Sequence, residues 1–237
     1  IFSEIFFKSL KLKKFKSPII LIASQKIIKL QMRKLNIKIK IRLIDFTNLK
    51  KIQLDNKKIN LINVSFNQKK PFDVITSKSN NYIRESFDIA LKILNTKITN
   101  KLINGPISKK FFLKKKYLGI TEYLAYKTNS KNFAMLIYNK DLSICPITTH
   151  LPIKKVSKYI SKDIIKKKIQ LLDVFFKKYL KKKPRIAVTG LNPHCESIDA
   201  FNEDEKIIKP SIKSLIRSNY KIFGPFAADT IFLKKNR

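Results

Sequence analysis

Apolar and polar positions alternate along this chain in two rhythms, one of strands and one of helices. Pro18–Ser24 (PIILIAS) is a near-continuous apolar run, the mark of a strand buried on both faces. Lys26–Lys34 follows with helical character, and Ile37–Ile44 (IKIKIRLI) reads as a second strand. Asn80–Leu94 sets Ile83, Phe87, Ala90 and Leu91 on one helical face. Leu102 and Ile103 read as a short strand entering a Gly-Pro turn. Asn132–Ile147 reads as two strands joined by a tight Asn139-Lys140-Asp141 turn. Ser161 suits the cap of a helix reaching about Leu180, with Ile164, Ile165, Ile169, Leu172 and Phe176 as its apolar face. Arg185–Leu191 (RIAVTGL) is another buried strand. Glu203–Arg217 reads as a helix with acids in its first turn, kinked or split at Pro210. Thr47–Lys70 is polar and reads as irregular. Alternation of this kind predicts an α/β protein with helices on both sheet faces, and ligands at the carboxyl ends of its strands.

Composition changes this picture little. With 237 residues and 44% hydrophobic, the chain can bury a core and is no disordered tail. The net charge of +36 invites a nucleic-acid or anionic-membrane reading. Against it, only six basic residues are arginine (Arg33, Arg42, Arg84, Arg185, Arg217, Arg237) and the lysines are spread along the whole chain. Arginine is the residue that grips phosphate and base edges bidentately. Abundant Lys, Ile and Asn with only 4 Gly and no Trp is a compositional drift, so no specific nucleic-acid partner is expected. Cys145 and Cys195 match no zinc or redox spacing, which suits a reduced, cytoplasmic setting. No apolar run approaches the roughly 18 residues of a membrane span, and the basic, apolar opening lacks the order of a signal peptide. A start at Ile1 and an end at Arg237 just after an apolar stretch suggest truncation at both ends.

The chemistry-bearing residues gather in five segments. Asn104–Lys109 (NGPISK) joins a Gly-Pro turn to a lysine suited to an anion. Gly119–Ala125 (GITEYLA) offers Thr121 as a helix cap, with Glu122 in the first turn, and a helix N-terminus holds phosphate well. Ile147–Pro152 (ITTHLP) and Gly190–His194 (GLNPH) carry the only two histidines, His150 and His194, each just past a strand. They are candidate donors to a shared metal, which needs at least one further ligand. Gly224–Thr230 (GPFAADT) sets Asp229 in a small-residue loop, as ligand, base or cofactor contact. Each segment has a plain alternative: an ordinary turn, a helix cap, a structural histidine, a solvated aspartate. There is no G-x-G-x-x-G, no P-loop and no G-x-S-x-G.

Taken in order, these segments resemble the 4-hydroxythreonine-4-phosphate dehydrogenase family. That family carries P-I-x-K, G-H-T-E-x-L-A, T-T-H-x-P, G-L-N-P-H and G-P-x-x-A-D-T, matched here by Pro106–Lys109, Gly119–Ala125, Thr148–Pro152, Gly190–His194 and Gly224–Thr230. Ser3-Glu4-Ile5 is similar to its G-P-E-I. The resemblance implies two α/β/α lobes around a cleft, like isocitrate and isopropylmalate dehydrogenases, with approximate lobes 1–104 and 105–237. It implies a homodimer with active sites at the interface, and a divalent metal (Zn, Mg or Co). NAD or NADP would be bound without a Rossmann fingerprint, by residues the motifs do not identify. The implied reaction oxidises 4-phosphohydroxy-L-threonine to 2-amino-3-oxo-4-phosphooxybutanoate, which decarboxylates to 3-amino-2-oxopropyl phosphate in pyridoxal phosphate biosynthesis. His150 and His194 match metal ligands, Thr121 a substrate contact, Asp229 a catalytic aspartate and Lys109 a motif lysine on the substrate side.

Departures accompany the matches. Ile120 stands where the family has histidine, and Cys195–Asp199 replaces a glycine-rich stretch. The family's third metal histidine is expected beyond Arg237. Two further readings therefore stand: a paralogue oxidising a four-carbon sugar-acid phosphate, and an inactive basic remnant or nucleic-acid-binding protein.

Overall fold

A computed structural model describes residues 2–12, 15–114, 116–196 and 198–233. The chain is mixed α/β and divides into two compact units, Ile1–Tyr117 and Leu118–Arg237.

The first unit is built on three parallel strands, β1 (Ile20–Ala23), β2 (Ile41–Leu43) and β3 (Ile59–Asn63), in the order β1-β3-β2. Side chains alternate across a strand, so β1 and β3 each feed two cores. Leu21, Ala23, Ile59 and Leu61 pack on one face with Phe7 of α1 (Phe2–Leu12) and with Ile28 and Met32 of α2 (Gln25–Lys34). On the other face Ile62 and Val64 meet Ile89 and Ile93 of α3 (Asn80–Asn95). Burying a side chain such as Phe7 or Leu61, both at 0% exposure, stabilises the unit by about 1.5–3 kcal/mol. The Ser24 hydroxyl caps α2 by accepting from Ile27 N–H.

Several expectations are corrected in this unit. Thr47–Lys70 is not irregular: it holds all but the first residue of the 3-10 turn Phe46–Lys51, and all of β3, the central strand. Its polar Asn60 is 1% exposed, and its amide donates to the carbonyls of Ile19 and Asp55. Residues 37–40 precede the strand proper, and β2 is only Ile41–Leu43. The buried face of α3 is Phe87, Ile89, Ala90 and Ile93, while Ile83 and Leu91 lie at its margins. Leu102 and Ile103 form no strand, and Ile103 is exposed.

In the second unit, α6 (Lys162–Leu180) and α7 (Lys209–Arg217) cover a parallel pair, β4 (Ile186–Thr189) and β5 (Ile222–Phe226). Ser161 caps α6 as expected, accepting from Ile164 N–H. Of the expected face, Ile165 and Ile169 are fully buried. Pro210 does not break the 203–217 helix: a π turn, Asp204–Ile208, runs directly into α7, which has proline in its first turn. The expected hairpin over Asn132–Ile147 reduces to one antiparallel bridge, Ile137 with Ile144. The Gly224 segment is not simply a loop. Gly224 to Phe226 belong to β5, and the pairing shifts register between Ala187 and Thr189, so Gly224-Pro225 forms a bulge. Proline is tolerated in a sheet at such a bulge, where no ladder donor is needed. Two shorter helices, α4 (Ile120–Lys127) and α5 (Ile153–Tyr159), precede α6.

A candidate active site in the second unit

The chain leaves β4 at Thr189 and turns through Gly190–His194. Gly190 N–H donates to Phe226 O at 3.0 Å, prolonging the β4–β5 pairing by one residue. The loop then folds back over Gly190. A Cβ there would lie 2.6 Å from Cys195 Sγ and 2.8 Å from Asp204 Oδ1, so only glycine fits. Cys195 N–H closes the turn on Asn192 O, with Cys195 itself left-handed at φ 61°. Burial pushes the Cys195 thiol above its ordinary pKa, opposed by the Gly190 N–H and reinforced by the Asp204 charge.

The loop after β5 lies against this one. Ala228 N–H donates to Pro193 O at 3.1 Å. His194 and Asp229 therefore flank one hydrogen bond at the carboxyl ends of two neighbouring parallel strands. Both side chains are exposed.

His150 belongs to a second cluster. It is exposed and left-handed (φ 57°), and its ring lies beside Gly119 at the start of α4. A Cβ on Gly119 would be 3.5 Å from His150 Nε2 and 3.0 Å from Glu122 Oε2, so imidazole and carboxylate both lie beside Gly119. Thr149 Oγ1 donates to Glu122 Oε1 at 2.9 Å. Glu122 Oε2 is buried without a hydrogen-bond partner among the described residues. Thr121 is not the helix cap expected of it. Gly119 holds that position without a side-chain bond, and Thr121 is half-buried in the first turn. The first N–H groups of α4 thus lack a capping side chain. Both histidine loops rest on one core, since Ile147 and Leu191 pack against the cluster of Ile165, Ile208, Ile212 and Ile222.

Lys109 lies in the first unit, exposed, as the first residue of a π turn, Lys109–Leu113. Ser108 Oγ caps that turn by accepting from Phe111 N–H. The turn follows irregular chain rather than the expected strand.

Comparison with known proteins decides the family. The family model described as pyridoxal phosphate biosynthetic protein PdxA matches residues 14–237. The chain belongs to the PdxA family. Among its relatives, a 4-hydroxythreonine-4-phosphate dehydrogenase from a Sulfurihydrogenibium species is 38% identical over 147 residues, which cover 60% of this chain and 46% of that protein. A D-threonate 4-phosphate dehydrogenase from Pectobacterium atrosepticum is 35% identical over 119 residues, covering 50% of this chain and 36% of that one. The chain thus spans less than half the length of these two curated relatives. The solved 4-hydroxythreonine-4-phosphate dehydrogenase of Klebsiella pneumoniae superposes with a TM-score of 0.80 at 24% identity, over 100% of this chain and 74% of that one, and shares its fold.

For a PdxA-family member the metal question is one of donor count. Imidazoles suit a divalent cation such as zinc, but a protein site takes at least three donors. Among the described residues no group of three or more His, Cys, Asp or Glu side chains comes together to hold an ion. His150 and His194 stand in two separate loops, and no step is derived through a metal. Two carboxylates that motif order does not single out, Glu122 and Asp204, bond to the loops that carry the histidines. In the sequence each reads only as an acid in a helix's first turn. For Glu122 the available signal was its place next to Thr121 in the second motif.

Proposed function

We propose that this PdxA-family chain is part of a dehydrogenase that oxidises the secondary alcohol of 4-phosphohydroxy-L-threonine, the hydride passing to NAD or NADP. The product would be 2-amino-3-oxo-4-phosphooxybutanoate, which loses carbon dioxide to give 3-amino-2-oxopropyl phosphate. The observation that carries this reading is the hydrogen bond from Ala228 N–H to Pro193 O, which ties the loops of His194 and Asp229 together at two strand ends. Strand ends of this kind are where open α/β sheets bind ligands. Asp229 is assigned to take the hydroxyl proton. Thr121, with the uncapped first turn of α4, is assigned to the substrate, and Lys109 to its anionic part. His150 and His194 are assigned as two donors to a divalent metal (Zn, Mg or Co), a third coming from outside the described residues. A homodimer of two-lobed subunits with the site at their interface, working in the cytoplasm, completes the reading.

Ile120 keeps a second substrate in view. An isoleucine cannot make the hydrogen bond of the family's histidine, and D-threonate 4-phosphate is the substrate named for one relative. The test incubates the protein with each substrate, NAD or NADP, and Zn, Mg or Co in turn, following nicotinamide reduction. Reduction with 4-phosphohydroxy-L-threonine, lost in His194→Ala and Asp229→Asn, supports the assignment. Preference for D-threonate 4-phosphate moves it to the sugar-acid branch. No reduction with either substrate under any metal overturns it.

A further inference from the structure

We propose that Asp204 is a positioning residue: its buried carboxylate sets the loop that carries His194 and, through Pro193, the loop that carries Asp229. The inference rests on the roles proposed above for those two residues.

Asp204 is 0% exposed. A carboxylate so far from water is held only where donors replace its hydration. Three donors reach it among the described residues, and all belong to the β4 loop. Leu191 N–H lies 2.8 Å from Oδ1, while Asn192 N–H and Asn192 Nδ2 lie 3.1 Å and 2.7 Å from Oδ2. An acid that merely caps its own helix would bond the first N–H groups that follow it. Asp204 instead reaches back to donors 13 and 12 positions earlier in the chain. Both oxygens are engaged and Asn192 is gripped at two points, so the loop has one seat. Pro193 comes next, with φ fixed by its ring. Its carbonyl accepts from Ala228 N–H, one residue before Asp229. A single carboxylate thereby sets the bases of two exposed side chains while touching neither.

Asp204→Asn keeps the shape and replaces an acceptor by a donor. Asn192→Ala removes one of the three bonds and leaves the carboxylate its two backbone donors. Two readouts apply to each: amide hydrogen exchange at Leu191 and Asn192, and the separation of kcat from KM in the assay above. In Asp204→Asn, exchange at these two amides should accelerate at least about tenfold while α6 is unaffected. The rate constant kcat should fall about 10–100-fold, the usual size for an outer residue that orients functional groups, with KM nearly unchanged. Asn192→Ala should shift both in the same direction by less. If Asp204→Asn does not fold, Asn192→Ala decides. Unchanged exchange at Leu191 and Asn192 in the folded variants overturns the proposal, as does unchanged kcat when His194→Ala is inactive. If His194→Ala turns over like the unmodified protein, the role of His194 fails. Exchange then still reports whether Asp204 seats the loop.

Discussion

Replacing Gly224 by alanine tests whether the bulge in β5 is fixed by backbone geometry. Gly224 has φ 122°, a region that L-residues rarely enter. Holding a residue with a Cβ there costs about 1–3 kcal/mol. The added Cβ would also lie 2.4 Å from Val188 O. That atom is backbone of the paired strand β4, so no rotamer change relieves the contact. Relief requires β4 and β5 to part, with an overpacking cost of about 1–3 kcal/mol. Together these give a loss of about 2–6 kcal/mol. For a unit of this size, at about 4 °C per kcal/mol, Tm should fall by about 8–24 °C. Gly119→Ala is the control within the same unit. Its φ of −160° suits any residue, and its Cβ would meet Glu122 Oε2 at 3.0 Å and the His150 ring at 3.5 Å, both on side chains that can yield. It should lose about 1 kcal/mol or less, as for other changes at a helix cap. Calorimetry and urea unfolding of both variants measure the difference. A Gly224→Ala loss no larger than that of Gly119→Ala would refute the backbone argument.

Two smaller predictions follow from single hydrogen bonds. Ser161→Ala removes the cap on α6 and should cost about 1 kcal/mol in urea unfolding, while Ser161→Asp should restore it; equal losses in both would show that the cap contributes nothing. Tyr82 accepts from Ser24 N–H and stacks on Phe66, and burial holds its hydroxyl above the ordinary 10.0. Folding therefore favours the neutral phenol. Its contribution is complete below pH 10.0 and fades as pH rises through the higher folded-state value. The stability advantage over Tyr82→Phe should shrink above pH 10.0, and pH curves that stay parallel would count against it.

Elements legible in the sequence are those whose packed faces are mainly apolar. PIILIAS, RIAVTGL and the Ile165–Ile169 face of α6 all belong to this class. β3 was lost because its polar positions are structural. Asn60 donates to Ile19 O and Asp55 O, and Asn63 Oδ1 accepts from Gln25 N–H, so the asparagines tie the segments flanking β1 and preceding β3 to the central strand. Along the sequence they look like solvated loop. β5 was lost because Gly-Pro signals a turn, and a bulge meets that signal inside a strand. The hairpin was over-read: Ile137 and Ile144 are exposed, so apolar alternation there reflects no buried sheet.

The site divides in the same way. His150, His194, Asp229, Thr121 and Lys109 stand out in the sequence through motif order alone, and all but Thr121 are exposed. Asp204 and Glu122 were hidden because the helix dipole already accounts for an acid in a first turn. That account is local, and it leaves open where a carboxylate's lone pairs are satisfied. For Asp204 they are satisfied by a loop 12 and 13 residues away, which ties its place in the sequence to the geometry of His194. For Glu122 one oxygen is satisfied by Thr149, while the other is buried beside Gly119 with no hydrogen-bond partner among the described residues. An acid that merely suited the dipole would sit in water with both oxygens hydrated. The two acids here are turned inward, toward the loops that carry the histidines. Donor and acceptor accounting, more than helix propensity, thus explains their places in the chain.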